Sequence, residues 1–195
     1  MSREYSLERD LTELEQMAER LQDYVLGDRL YLPLAAGYSR SSTLPQLSAG
    51  TLLLRRRRLM RLRSSLSKSQ HSRLSAALQQ HDAVQREWTL HYERKLKGEV
   101  PARLKQMYAF FRDCQENPGG CASAYPPEAL RRTIVQEILF AMDEFGYYKR
   151  ELMSSVERMD IALRRLLHAD RFIWSARLES LYPRQDFWWL YGNPA

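Results

Sequence analysis

The sequence lacks the local signatures of most enzymes and cofactor-binding proteins. None of its eight glycines belongs to a phosphate-binding loop or to a Gly-x-Ser-x-Gly turn, and there is no His-Glu-x-x-His segment. None of the four histidines is preceded by glutamate at a spacing of three residues. His81 lies in an apolar stripe, where a buried, hydrogen-bonded histidine is expected. We expect no catalytic residues, no metal site and no cofactor, although a catalytic site assembled only by the fold remains an alternative.

Long apolar runs and cysteines are also scarce. No apolar stretch approaches the length of a membrane span, and the N-terminal residues lack the apolar segment of a secretory signal. We therefore expect a cytoplasmic protein with no integral membrane association. The two cysteines, Cys114 and Cys121, flank a turn sequence, so a local disulfide is geometrically conceivable. Because nothing else indicates export, we expect free thiols.

Strand signals are nearly absent, and helical spacing of apolar residues dominates the chain. The short apolar run over 30–34 is interrupted by Pro33, which argues against a strand. The spacing of apolar residues predicts a helix over 7–26, with Ser6 as its N-cap and Gly27 ending it.

A longer apolar stripe runs from Leu130 to Leu166. Its mean spacing is 3.6 residues, which matches a straight α-helix and favours a packed bundle over a coiled-coil rod. The stripe predicts a single helix over 127–168, opened by a proline pair and roughly 60 Å long. At its centre, Phe145 and Leu152 are expected to be almost fully buried.

Less regular segments connect these helices. The spacing predicts a helix over 74–97, a break or kink at Gly98 and Pro101, a short helix over 104–111 and a turn over 117–120. Together the segments predict an all-α, elongated helical bundle of four to five helices with long antiparallel helices. We expect a single domain over 1–195, with residues 183–195 as an aromatic C-terminal tail.

Acidic residues are missing between Arg29 and His81, where ten Lys or Arg residues occur. Six of these form an arginine cluster: Arg55, Arg56, Arg57, Arg58, Arg61 and Arg63. Thr43-Leu44-Pro45 could start a helix through the cluster, and the serines that follow weaken its centre. On that helix two members, Arg56 and Arg63, fall inside the apolar arc, and Arg57, Arg58 and Arg61 fall outside it.

Two interpretations of the arginine cluster remain open. The guanidinium groups could pair inside the bundle with carboxylates of the first helix (Glu8, Glu15, Glu19) or of the long helix (Glu137, Glu144, Glu151). Alternatively, the cluster could bind a polyanion, either a nucleic acid or an anionic membrane surface, together with Lys68, Arg73 and Arg40. No recognisable nucleic-acid-binding motif accompanies the cluster.

The C-terminal tail is rich in aromatic residues: Tyr182, Phe187, Trp188, Trp189 and Tyr191. The tail could fold back over the bundle and cover Trp174 and Leu178, or it could contact a second copy or another protein. These features predict a non-enzymatic interaction or scaffold protein whose partner is another protein or itself, as a homo-oligomer. Polyanion binding through the arginine cluster is the alternative function.

Overall fold

The computed structural model describes residues 4–34 and 46–194, and it confirms the predicted all-α fold. Within these ranges, no helix combines the length and the apolar character needed to cross a membrane. The observed helices do not correspond one to one with the predicted helices, because several of them begin or end at other residues than predicted. The α-helices are α1 (Leu7–Glu19), α2 (Leu21–Leu26), α3 (Ala49–Arg61), α4 (Lys68–Glu87), α5 (Thr89–Glu116), α6 (Cys121–Glu144) and α7 (Arg150–Leu166).

The chain divides into two compact units. The N-terminal unit comprises Ser6–Glu99, and the C-terminal unit comprises Val100–Ala195 together with Met1–Tyr5. Helix α5 contributes residues to both units. The expectation of a single domain over 1–195 stays a prediction.

The N-terminal unit is built around α1, which packs against α3 and α4. The Ser6 hydroxyl accepts a hydrogen bond from the Arg9 N–H at 3.3 Å, as expected of the N-cap. The predicted helix over 7–26 is interrupted at Arg20, which separates α1 from α2, and it ends at Gly27 as predicted.

The arginine cluster lies on α3 and on the turn that follows it. Helix α3 begins after its N-cap Ser48. The predicted start at Thr43-Leu44-Pro45 lies outside the described residues, as does Arg40. The serine-rich stretch does interrupt the helix: α3 ends at Arg61, a 3₁₀ turn follows, and Ser67 caps α4 with Gln70 as its capping-box partner.

Of the predicted break or kink at Gly98 and Pro101, the break is wrong, because α5 runs continuously through both residues. The break lies instead at Trp88, which ends α4. A Cβ at position 98 would lie 3.1 Å from Leu30 Cδ2, so glycine permits a close approach of this helix to Leu30. Pro101 removes one backbone donor, but Val100 beside it is fully buried, and such packing overrides a local helix penalty.

The predicted single helix over 127–168 is also wrong. Helix α6 begins upstream of the proline pair at Cys121 and ends at Glu144, and α7 begins only at Arg150. The end of α6 is a Schellman motif, in which Gly146 adopts a φ of +70° and the Tyr147 N–H donates to the Met142 carbonyl oxygen at 2.7 Å.

Phe145 and Leu152 flank this interruption, and both are only partly buried, which contradicts the expectation that they are almost fully buried. The reason is their position: Phe145 caps the end of α6, and Leu152 lies in the first turn of α7. Neither side chain therefore lies in the middle of a packed helix.

The expectation of free thiols is wrong as well, because Cys114 and Cys121 form a disulfide. The turn over 117–120, which the sequence predicted, contains a 3₁₀ segment and joins α5 to α6. It brings the two cysteine Cα atoms to 5.3 Å, within the normal range for a disulfide.

Candidate functional site

The aromatic tail folds back onto the C-terminal unit. Tyr182, Phe187 and Trp189 are almost completely buried, whereas Trp188 and Tyr191 remain partly exposed. The Tyr125 hydroxyl donates to the Trp189 carbonyl oxygen at 2.6 Å, which ties the tail to α6. The predicted contact residues are therefore divided between the core of their own unit and its surface. Contact of the tail with a partner stays a prediction.

A small antiparallel sheet holds the end of the tail beside α7. Strand β1 (Leu167–Ala169) continues directly from α7 and pairs with β2 (Gly192–Pro194), with His168 opposite Asn193. A Cβ on Gly192 would lie 3.1 Å from the His168 carbonyl oxygen. Glycine at this position thus allows the two strands to approach closely.

A cavity of about 300 Å³ lies between this sheet, α7 and the tail. We call it the cationic pocket; its lining residues are Arg164, Leu167, His168, Ala169, Arg184, Trp188, Tyr191 and Gly192. None of these lining residues, all of which lie in the described part of the chain, is acidic. Two of the predicted tail residues line the pocket, but its arginines and histidine were not singled out as site residues from the sequence.

Aromatic rings position both arginines of the cationic pocket. The Arg164 guanidinium carbon lies 3.8 Å from the ring centroid of Trp188, and that of Arg184 lies 5.7 Å from the ring centroid of Tyr191. Burial raises the pKa of the Tyr191 hydroxyl, the charge of Glu179 raises it further, and the charge of Arg184 lowers it. The hydroxyl donates to the Tyr182 carbonyl oxygen at 2.9 Å.

The arginine cluster in the N-terminal unit is partly neutralised by α1. Arg55 Nε donates to Glu13 Oε2 at 2.7 Å, and Arg58 lies 3.5 Å from the Asp10 carboxylate. Glu8 and Glu15, two of the glutamates expected to pair with arginines, do pair, but with Arg73 on α4, at 2.5 and 2.6 Å.

The other members of the cluster differ in exposure. Arg61, Arg63 and Lys68 are exposed, and Arg56 and Arg57 are partly buried. The placement of Arg63 inside the apolar arc was wrong, because α3 ends before it and a 3₁₀ turn redirects its side chain. Arg58 was expected outside the arc, yet its side chain is mostly buried beside Asp10.

Two further buried polar groups of the N-terminal unit are His81 and Glu99. His81 is fully buried, with Nδ1 2.8 Å from Asp82 Oδ1 and Nε2 2.9 Å from the Tyr92 hydroxyl, which confirms the expected core histidine. Glu99, which sequence reasoning missed, accepts from the Ser48 hydroxyl at 2.7 Å and from the Gly50 N–H at 2.9 Å. Its carboxylate thereby satisfies the N-terminus of α3.

A second cavity, of about 330 Å³, is mainly apolar and lies between α5 and α7. Its lining residues are Phe111, Cys114, Gln115, Ala162, Arg165 and Leu166. No cluster of three or more metal-ligating side chains occurs in the part of the chain that the structure describes. Comparison of the chain with protein-family models, with curated proteins and with solved structures finds no match.

Proposed function

We propose that this protein is a non-enzymatic interaction protein that associates with itself through the outer face of α7. The inner face of this helix packs into its own unit through the buried side chains of Val156, Met159 and Leu163. The opposite face carries Ile161, which is 53% exposed. A large aliphatic side chain exposed on a strongly amphipathic helix suits a contact surface.

An apolar cavity also borders α7. Ala162 and Leu166 line the cavity between α5 and α7, and Phe111 lines its other side. Tyr108, 46% exposed, packs edge-on against Phe111 with ring centroids 6.3 Å apart. This groove could receive an apolar side chain from a second copy.

The charges on α7 carry the proposal, because they are self-complementary about Ile161. Glu157 lies four residues before Ile161 and Arg165 lies four residues after it, and both are exposed. In a two-fold, antiparallel contact centred on Ile161, each Glu157 faces the Arg165 of the other copy. Arg164, which would otherwise meet Arg158, is stacked on Trp188.

Light scattering after size-exclusion chromatography tests this proposal. We expect the wild type to have at least twice the mass of one chain, and Ile161→Asp to lower that mass. Leu90→Asp is the matched control, since Leu90 is 77% exposed in the N-terminal unit and should not matter. Glu157→Arg and Arg165→Glu should each weaken association and together restore it. A monomeric wild type would refute the proposal.

Polyanion binding is the second candidate function, favoured by the exposure of Arg61, Arg63 and Lys68. Affinity for duplex DNA, RNA and anionic vesicles should then fall with salt concentration. Replacing all three residues with Gln should flatten the log–log salt slope by up to about 3, or about one unit per phosphate contact. Arg58 is left in place because it pairs with Asp10. Absence of wild-type binding at low salt would eliminate this candidate.

A further inference from the structure

The cationic pocket brings together two arginines that have no carboxylate in ion-pair contact among the residues that the structure describes. Arg164 and Arg184 both line it, and in the described part of the chain neither forms an ion pair with a carboxylate. The arginines of the N-terminal cluster behave differently, since Arg55 and Arg58 have acidic partners on α1. Two arginines without a described carboxylate partner, both lining one cavity, indicate a site for an external anion.

Arg164 is held with its donors available. Its guanidinium group stacks on the ring of Trp188, so the indole covers one face of the group. The five N–H donors of a guanidinium lie in its plane, so a stacked arginine can still bind a planar pair of oxygens through its edge. Trp188 therefore fixes the orientation of Arg164 without using its hydrogen bonds.

The β1–β2 sheet forms another side of the cationic pocket. His168 is held opposite Asn193 by strand pairing, and it is one of the residues that line the pocket. Gly192, on the paired strand, has no Cβ. A Cβ at this position would crowd the Leu167 side chain and the His168 carbonyl oxygen. His168 is therefore a third residue with hydrogen-bonding groups at the pocket, beside the two arginines.

The size and charge of the pocket select the ligand. A volume of about 300 Å³ is at the lower end for small-molecule sites. Two guanidinium forks match the charge of a doubly ionised phosphate better than that of a carboxylate, which carries one charge. We propose that the cationic pocket binds the phosphate group of a small phosphomonoester, held by Arg164 and Arg184 and contacted by His168.

Isothermal titration of the full chain at low ionic strength tests this assignment, with methyl phosphate as the probe and acetate as the singly charged comparison. We expect Arg164→Gln and Arg184→Gln each to weaken methyl phosphate binding about tenfold or more. Arg158→Gln is the matched control, because Arg158 is an exposed arginine of α7 outside the pocket. Circular dichroism checks that each variant is folded. Arg184→Gln is the substitution least able to disturb α7, because Arg184 is an exposed residue outside that helix.

The possible results distinguish binding in the cationic pocket from non-specific attraction to positively charged residues. No binding of methyl phosphate by the wild type, or equal binding by all three variants, would overturn the assignment. Binding of acetate as tight as that of methyl phosphate would also overturn the phosphate specificity. Co-sedimentation with vesicles containing phosphatidic acid, lost in the Arg164 and Arg184 variants, would place the same phosphomonoester on a lipid headgroup. Self-association of α7 is measured separately by mass, so either proposal can fail without the other.

Discussion

Trp189 donates its indole N–H to the Thr133 hydroxyl at 2.9 Å, deep in the C-terminal unit. Both residues are almost fully buried, and the Arg132 guanidinium carbon lies 4.0 Å from the Trp189 ring centroid. The indole thus has an apolar environment for its rings, a hydrogen-bond partner for its polar atom and a cation over its face. This contact makes the tail part of the core of its unit.

We predict that Trp189→Ala destabilises the C-terminal unit by about 3–5 kcal/mol, as expected for truncation of a buried aromatic side chain. Chemical denaturation followed by circular dichroism measures the loss. The matched control is Trp188→Ala in the same tail, where the side chain is only partly buried and the cost should be smaller. Equal losses in the two variants would contradict the described packing.

The ion pair between Arg55 and Glu13 gives a second prediction. Arg55→Met should cost about 3 kcal/mol, because it leaves a buried carboxylate without its principal partner. The cost should fall at the lower end of the range for broken buried pairs, since Arg9 also donates to Glu13 at 2.9 Å.

Arg61→Met provides the comparison for this pair, because Arg61 is exposed in the same cluster and its replacement should change stability by less than about 0.5 kcal/mol. Denaturant titration of both variants measures the difference. Similar effects of the two substitutions would mean that the cluster is uniformly solvated, in conflict with the pairing seen on α1.

Local sequence signals predicted the helices whose ends are determined locally. Ser6 and Gly27 are a conventional N-cap and helix terminator, and both act as the sequence indicates. Gly146 was missed because apolar residues continue at helical spacing across it, although its positive φ is part of the motif that ends α6. Pro101 was given too much weight, because its local cost is offset by tertiary packing that no local pattern reveals.

The candidate pocket could be predicted only in part. Trp188 was singled out because aromatic residues cluster visibly in the tail. Arg164, His168 and Arg184 could not be grouped from periodicity, because Arg184 comes to the same cavity only through the fold of the tail. The sequence predicted that arginines of the cluster pair with carboxylates of the first helix, but it did not identify Glu13 as the partner of Arg55. That choice depends on how α1 packs against α3.

The disulfide between Cys114 and Cys121 gives a third prediction. The bond closes a short loop with a sequence separation of 7, so its loss should cost about 2–3 kcal/mol through the added freedom of the unfolded chain. Thermal unfolding with and without a phosphine reductant measures this. The double variant Cys114→Ser and Cys121→Ser is the control and should show no further shift on reduction. An unchanged melting temperature of the wild type after complete reduction would contradict the prediction.

The contact between His81 and Asp82 gives the last prediction, which concerns how the stability of the protein changes at acidic pH. The hydrogen bond with His81 lowers the pKa of the Asp82 carboxyl, the charges of His81, Arg56 and Arg86 lower it further, and desolvation opposes them. Between the lowered pKa in the folded state and the unfolded value near 4, the unfolded chain binds more protons than the folded one.

Asp82 therefore contributes stability above about pH 4 that is lost as the pH falls through the lowered pKa of the folded state. The carboxylate is 44% exposed, so solvent screening keeps the contribution small. Asp82→Asn should lower stability at neutral pH and make the loss of stability below pH 4 less steep than in the wild type. Urea titrations at several pH values between about 2.5 and 7 measure both effects. A variant whose stability falls in parallel with the wild type over this whole range would show that the hydrogen bond does not distinguish the two protonation states of Asp82.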